Sequence, residues 1–228
     1  MSSLSLEIGY ALKKVRNIAA YLGLLLAVSC NNVEHQPRSN LKVVTTPAAQ
    51  VNSTFRVKDG SDRAALLTEL YNNKNCREFF NAFPNTFDEF DQLYGFDDDK
   101  GERILYSKSE EHISFLYGCA EVSDFEKLKK SIDIGINGRW EADASALVQS
   151  FAFNLIKDNP NETKAILDTL PNSKASSFWY FMFDGPHPTD QENIKKVDLL
   201  RNLLGKDSKQ SKLLSEQYKK LLVDWSEH

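Results

Sequence analysis

The sequence lacks the short motifs by which many enzymes are recognised: no GxSxG, HExxH, P-loop or GxGxxG pattern occurs. Histidine is scarce, with four in the chain. Of these, His35 lies near the N-terminus and His228 ends the chain, which leaves His112 and His187. The three cysteines show none of the CxxC or Cys/His spacings of zinc sites. These absences disfavour an enzyme, and we expect neither a cofactor nor a metal.

Basic charge is also in deficit, with 28 Lys and Arg against 32 Asp and Glu. Nucleic-acid binding requires a basic surface that releases counterions from phosphates, so we expect no nucleic-acid partner. The first 29 residues hold three basic side chains and one acidic one, and their removal would leave a net charge of −6. Electrostatics would not hold such a chain at an anionic membrane.

The N-terminus combines a basic segment with a short apolar run. Three cations within residues 13–16 precede Ile18–Val28, a run of 11 residues. A bilayer span needs roughly 20 helical residues, so the run is typical of a secretory signal rather than a membrane span. It ends at Ser29-Cys30, which resembles the bacterial lipobox, although Ala27 stands where leucine is usual. The resemblance implies that Cys30 is lipidated.

This pattern predicts a lipoprotein signal peptide at residues 1–29, a lipidated cysteine and tether at 30–60, and a single helical domain at 61–228. The acyl chains on Cys30 would anchor the protein in a membrane. Asn31 does not fit the Asp signal that retains lipoproteins at the inner membrane, so we expect the outer membrane and its periplasmic face. The cell surface is the alternative location. The alternative to a lipoprotein signal is an ordinary N-terminal helix or an uncleaved membrane anchor, with no lipid on Cys30.

Two cysteines remain after lipidation, Cys76 and Cys119. An exported protein meets an oxidising compartment, which favours a disulfide. Two buried free thiols are the alternative, because unpaired cysteine is among the most buried residue types.

Helical signals dominate from residue 61 onward. A Ser or Thr followed by Glu three positions later, the capping-box pattern, occurs at Thr86/Glu89, Ser107/Glu110, Ser123/Glu126 and Thr189/Glu192. Apolar residues at helical spacing cover most of the circumference over residues 147–156, which predicts a central helix. Only Ile132–Ile136 alternates with a strand period. We expect an all-α fold of about eight helices, as a helical bundle or a short stack of helical hairpins.

The segment Cys76–Gly95 is rich in phenylalanine and is broken once, by Pro84. It resembles a stretch found in lipoproteins of Bacteroidota for which no activity is established. The break predicts two helices, with the phenylalanines Phe79, Phe80, Phe83, Phe87 and Phe90 filling the corner between them.

Three polar groups are candidate sites. Asp184 and His187 could form a general acid–base pair, although the flanking prolines also suggest a rigid turn. Glu110, followed by Glu111 and His112, is a further catalytic or metal candidate, but successive helical positions point in different directions. The acidic run 97–101 fails the EF-hand spacing, which favours a solvated loop over a calcium site.

Six large apolar or aromatic residues are consecutive at 178–183. We expect them in the core. The alternative is an exposed patch including Phe178, Trp179 and Tyr180 that binds a partner or a glycan. Trp140, at a junction between a loop and a helix, is a similar candidate.

The leading hypothesis is therefore a membrane-anchored lipoprotein whose helical domain binds a protein partner, in an envelope-accessory or immunity role. The alternatives are an enzyme acting on cell-wall or glycan material and a glycan-binding module.

Overall fold

Short helices joined by turns make up the domain. The computed structural model describes residues 60–141 and 143–227, all within one compact unit. The helices of this part of the chain are α1 (Gly60–Asn72), α2 (Cys76–Ala82), α3 (Phe87–Tyr94), α4 (Ser109–Gly118), α5 (Asp124–Gly135), α6 (Asp143–Asp158), α7 (Pro160–Asp168), α8 (Asn172–Phe181), α9 (Gln191–Leu204) and α10 (Lys209–Ser226). The predicted signal peptide, Cys30 and the tether up to residue 59 lie outside the described residues.

The all-α prediction is confirmed, with ten helices in the described ranges rather than about eight. Pro171 separates α7 from α8 and stands at the N-cap of α8, because proline cannot continue a helix. Ile132–Ile136, which alternates like a strand, instead ends α5. Within residues 60–141 and 143–227, no helix is both long and apolar enough to cross a membrane.

Two of the four predicted capping boxes start helices. Ser123 accepts a hydrogen bond from the backbone N–H of Glu126, whose carboxylate accepts the Ser123 backbone N–H in return, so the box is complete at α5. Thr86 caps α3 by accepting from the Glu89 N–H, but the Glu89 side chain accepts from Asn85 instead of Thr86.

The other two predictions are wrong. Ser107 lies inside a 3-10 turn, Tyr106–Lys108, that precedes α4. Thr189 lies in a turn closed by the Asp190 N–H donating to the His187 carbonyl at 3.2 Å, so α9 starts one residue later with Asp190 at its N-cap. The local pattern is present at both positions, but the preceding turn displaces the helix start.

The acidic run 97–101 forms a β-hairpin between β1 (Phe96–Asp97) and β2 (Gly101–Glu102). Asp97 Oδ1 accepts the backbone N–H groups of Asp99 and Lys100, both at 3.0 Å, and Oδ2 accepts from Arg103 at 3.1 Å. These bonds lower the pKa of the Asp97 carboxyl, with the Lys100 N–H as the largest cause. The carboxylate is thus used to fix the turn.

Two hydrophobic clusters form the core, one built mainly from α1–α4 and the other mainly from α7–α10. Helix α6 contributes to both, with Val148 in the first and Ala152 and Ile156 in the second, all fully buried. The predicted central position of this helix is confirmed. The predicted aromatic corner is also confirmed, since Phe79, Phe80, Phe83, Phe87 and Phe90 are all buried.

Cys76 and Cys119 are joined by a disulfide, with a Cα–Cα distance of 5.5 Å. The bond connects the start of α2 to the end of α4 across 43 positions of sequence. Arg77, next to it, forms a 2.6 Å ion pair with Glu126 and donates to the Glu121 carbonyl, so α2 is also held to the start of α5.

Candidate binding cleft

Three of the predicted site residues, Trp140, Asp184 and His187, line one cleft of about 460 Å³. One wall is α6, with Gln149, Phe153 and Asn154. Another is the loop that follows α8, residues 182–187, and the first turns of α9 complete it. Trp140 reaches the cleft from the segment between α5 and α6.

Side chains from three helices fix the loop. Gln149 Nε2 on α6 donates to the carbonyls of Phe181 at 2.6 Å and Asp184 at 2.7 Å. Asn193 Nδ2 on α9 donates to the His187 carbonyl at 2.8 Å. The buried Tyr218 hydroxyl on α10 donates to the carbonyl of Pro188 at 2.6 Å. Because these bonds are made within the domain itself, the cleft wall is formed before any ligand arrives.

Asp184 is a half-buried carboxylate at the edge of this loop. Its Oδ2 accepts the backbone N–H of Trp140 at 2.7 Å. Burial raises the pKa of the Asp184 carboxyl, and the negative charge of Asp224 raises it further. Among the described residues no Lys, Arg or His forms an ion pair with Asp184, so its charge is stabilised by backbone dipoles alone.

Trp140 is 37% exposed and lies against the loop. A Cβ placed on Gly185 would be 3.8 Å from Trp140 Cδ1, so the indole lies beside the loop at this glycine. Lys196 also lines the cleft, but its ammonium forms a 2.8 Å ion pair with Glu192 and lies 5.6 Å from the ring centre of Phe153. The cleft therefore combines an accessible indole with an unpaired carboxylate.

The predicted Asp184–His187 pair shares the cleft wall without a hydrogen bond between the two side chains. His187 is exposed. In the described part of the chain its backbone carbonyl, and not its imidazole, accepts hydrogen bonds, from Asn193 and Asp190. A general acid–base pair requires hydrogen-bond reach, which this arrangement does not show.

Glu110 does not line the cleft; it lies exposed on α4. The neighbouring candidates diverge, since Glu111 pairs with Lys108 at 3.3 Å whereas His112 is buried with Nδ1 3.0 Å from the Tyr94 hydroxyl. Across residues 60–141 and 143–227, no group of three or more His, Cys, Asp or Glu side chains is placed to hold a metal ion.

The aromatic run 178–183 lies mainly in the core, as predicted. Phe178 and Trp179 are completely buried, and Trp179 Nε1 donates to Gln210 at 3.0 Å. The alternative of an exposed docking patch is wrong for these two residues. Tyr180 is half-buried, and its hydroxyl donates to Asp224 at 3.0 Å, so this side chain is occupied within the domain.

Sequence reasoning missed the residues that hold the loop, Gln149, Asn193 and Tyr218. Gln149 contacts Phe181, 32 positions away in sequence, and Tyr218 contacts Pro188, 30 positions away. Asn193 contacts His187, six positions away. The one available signal is the polar Gln149 within an otherwise largely apolar helix, because a half-buried amide needs partners.

The chain matches no protein-family model, no curated protein and no solved structure.

Proposed function

We propose that this protein is an exported lipoprotein of the Bacteroidota type, anchored in the outer membrane through Cys30 and facing the periplasm. Its helical domain is non-enzymatic and binds a protein partner, in an envelope-accessory or immunity role. The lipid supplies the membrane attachment, and the Trp140 cleft supplies the contact with the partner.

The observation that carries the protein-binding role is the cleft itself. Its loop wall is held by Gln149, Asn193 and Tyr218 before binding, which lowers the ordering cost of association. Trp140 is exposed at its rim, and tryptophan is enriched among residues that dominate binding energy in protein interfaces.

The disulfide supports export. Cys76 and Cys119 are bonded in the structure, and such bonds persist in oxidising compartments such as the periplasm. A cysteine pair without CxxC spacing, joining two helices far apart in sequence, is typical of a structural disulfide rather than a redox-active one.

A glycan ligand is the second candidate. Trp140 could stack on a sugar ring, and Asp184 and His187 lie on the same cleft wall. A cell-wall enzyme would use the Asp184 and His187 side chains in catalysis. A glycan-binding module would use the cleft residues only to contact the sugar.

Site-specific photo-crosslinking in native membranes tests the proposal. Asn154 is exposed and lines the cleft, so a benzophenone amino acid there would report a partner. We expect one discrete protein adduct that Trp140→Ala removes, and no such adduct from the same probe at exposed Gln92 on α3. An adduct that forms equally from both positions, or that persists in Trp140→Ala, would contradict binding at the cleft.

A further inference from the structure

We propose that the Trp140 cleft receives an arginine side chain of the partner, with Asp184 as the counter-charge and the Trp140 indole as the stacking face. This inference rests on the protein-binding function proposed above and specifies the chemistry of the contact.

The first argument is the unpaired charge. A carboxylate removed from water is stabilised by a cation or by hydrogen bonds, and otherwise favours its neutral form. Asp184 has the Trp140 N–H at 2.7 Å but, within the described ranges, no basic partner. The Gly185 backbone N–H also donates to this carboxylate. A carboxylate can accept about four hydrogen bonds, so these two leave acceptor capacity for a cation.

The second argument is the aromatic surface beside it. Trp140 binds Asp184 through its backbone and is 37% exposed in the same cleft. A cation within about 6 Å of an indole face is attracted by the ring's electron density, and tryptophan is the best such partner. A planar guanidinium can stack on an indole and donate two hydrogen bonds to a carboxylate, whereas an ammonium acts as a point charge. Arginine fits both features at once.

The third argument is the surrounding charge. The cation lining the cleft, Lys196, is neutralised by Glu192 at 2.8 Å. The negative charge of Asp224 acts on Asp184. The Lys220 ammonium lies 5.5 Å from the centre of the Tyr180 ring, and no ion pair joins it to Asp184 in the described ranges. The net charge of −6 expected for the mature chain would steer a basic segment toward the domain.

Peptide titration of the full-length chain in detergent micelles tests the inference. The probes are the blocked tripeptides Gly-Arg-Gly, Gly-Lys-Gly and Gly-Gln-Gly, and the readout is the NMR signal of the Trp140 indole N–H, assigned with Trp140→Phe. We expect saturable binding in the order Arg, Lys, Gln. Asp184→Asn keeps the acceptor for the Trp140 N–H, and we expect it to weaken arginine binding about tenfold.

Asp190→Asn is the matched control, because it removes one exposed carboxylate from the same connection between α8 and α9 without changing the cleft lining. Arginine binding should be unchanged in it. Equal binding of the Arg and Gln peptides, or equal binding by wild type and Asp184→Asn, would overturn the inference. Binding of tri-N-acetylglucosamine at the Trp140 signal with no response to the arginine peptide would overturn it in favour of a glycan.

The Asn154 crosslink separates this inference from the proposed function. An adduct that Trp140→Ala removes but Asp184→Asn leaves at full yield would retain the protein partner and overturn the arginine contact. Peptide binding without any adduct from wild type would overturn the protein-binding role while supporting the cation site. Should Asp184→Asn fail to fold, Trp140→Leu replaces it, and because this variant lacks the indole signal its peptide binding is measured by isothermal titration calorimetry beside wild type. Undiminished arginine binding in that variant would contradict stacking.

Discussion

The Tyr94 hydroxyl and His112 Nδ1 lie 3.0 Å apart in the core of the domain. His112 is 1% exposed and is surrounded by the rings of Tyr71, Phe79 and Tyr94, with ring centres 5.0 to 5.9 Å away. Burial lowers its pKa from 6.5 to about 4 and outweighs the opposing charge of Glu111. The folded domain therefore requires a neutral imidazole.

This predicts a loss of stability in mild acid. The unfolded chain takes up the His112 proton more readily than the folded one, so the loss begins as the pH falls below 6.5 and is complete below about 4. A shift of this size corresponds to about 3 kcal/mol. Urea unfolding from pH 7 to pH 4 should show a steeper decline for wild type than for His112→Phe. His187→Gln, at an exposed histidine, should decline like wild type; parallel curves for wild type and His112→Phe would refute the assignment.

The disulfide should account for a large part of the stability. Crosslinking across 43 positions removes conformational entropy from the unfolded chain, and we expect Cys76→Ala/Cys119→Ala to lower the free energy of unfolding by about 4 kcal/mol. Adding dithiothreitol should destabilise wild type and leave the double variant unchanged. Wild type that is equally stable with and without the reductant would show that the bond is absent or contributes nothing.

Helix α5 packs against α8 through a glycine. A Cβ on Gly135 would lie 2.7 Å from Phe178 Cδ2 and 2.8 Å from Phe181 Cδ1, and both rings are fully buried. Gly135→Ala should destabilise the domain by about 1–3 kcal/mol, as overpacked cores do. Gly118→Ala is the control, since a Cβ there meets nothing within 4 Å, and we expect it to be neutral or stabilising by up to about 1 kcal/mol. Similar thermal stabilities for the two variants would contradict this packing.

A Ser or Thr that caps a helix and one that only matches the capping pattern should differ in how much stability their mutation to alanine costs. Ser123→Ala removes a real N-cap and should cost about 1 kcal/mol, whereas Thr189→Ala at a position outside α9 should change stability little. Thermal unfolding of both variants measures the difference. An equal loss at both sites would mean that Thr189 caps its helix after all.

Local signals predicted much of the fold. The Ser123 box and the apolar spacing over residues 147–156 depend on neighbours within one or two turns, and both predictions are confirmed. The hairpin at 96–102 was missed because its strands have two residues each, too few to show alternation.

The sequence predicts individual residues of the candidate site but not that they lie together. The chemistry of Trp140, Asp184 and His187 predicts each of them as a candidate, and the structure brings them into one cleft. The sequence could not show that Asp184 would contact Trp140, 44 positions away, or that a tyrosine on α10 would hold the loop. Such contacts depend on how whole helices pack.

Mass spectrometry of the protein purified from the membranes of its own cells tests the lipid-anchored account most directly. We predict a mature chain that begins at Cys30 and carries both a thioether-linked diacylglyceryl group and an N-acyl chain. A chain that retains residues 1–29 and has an unmodified Cys30 sulfur would contradict the account.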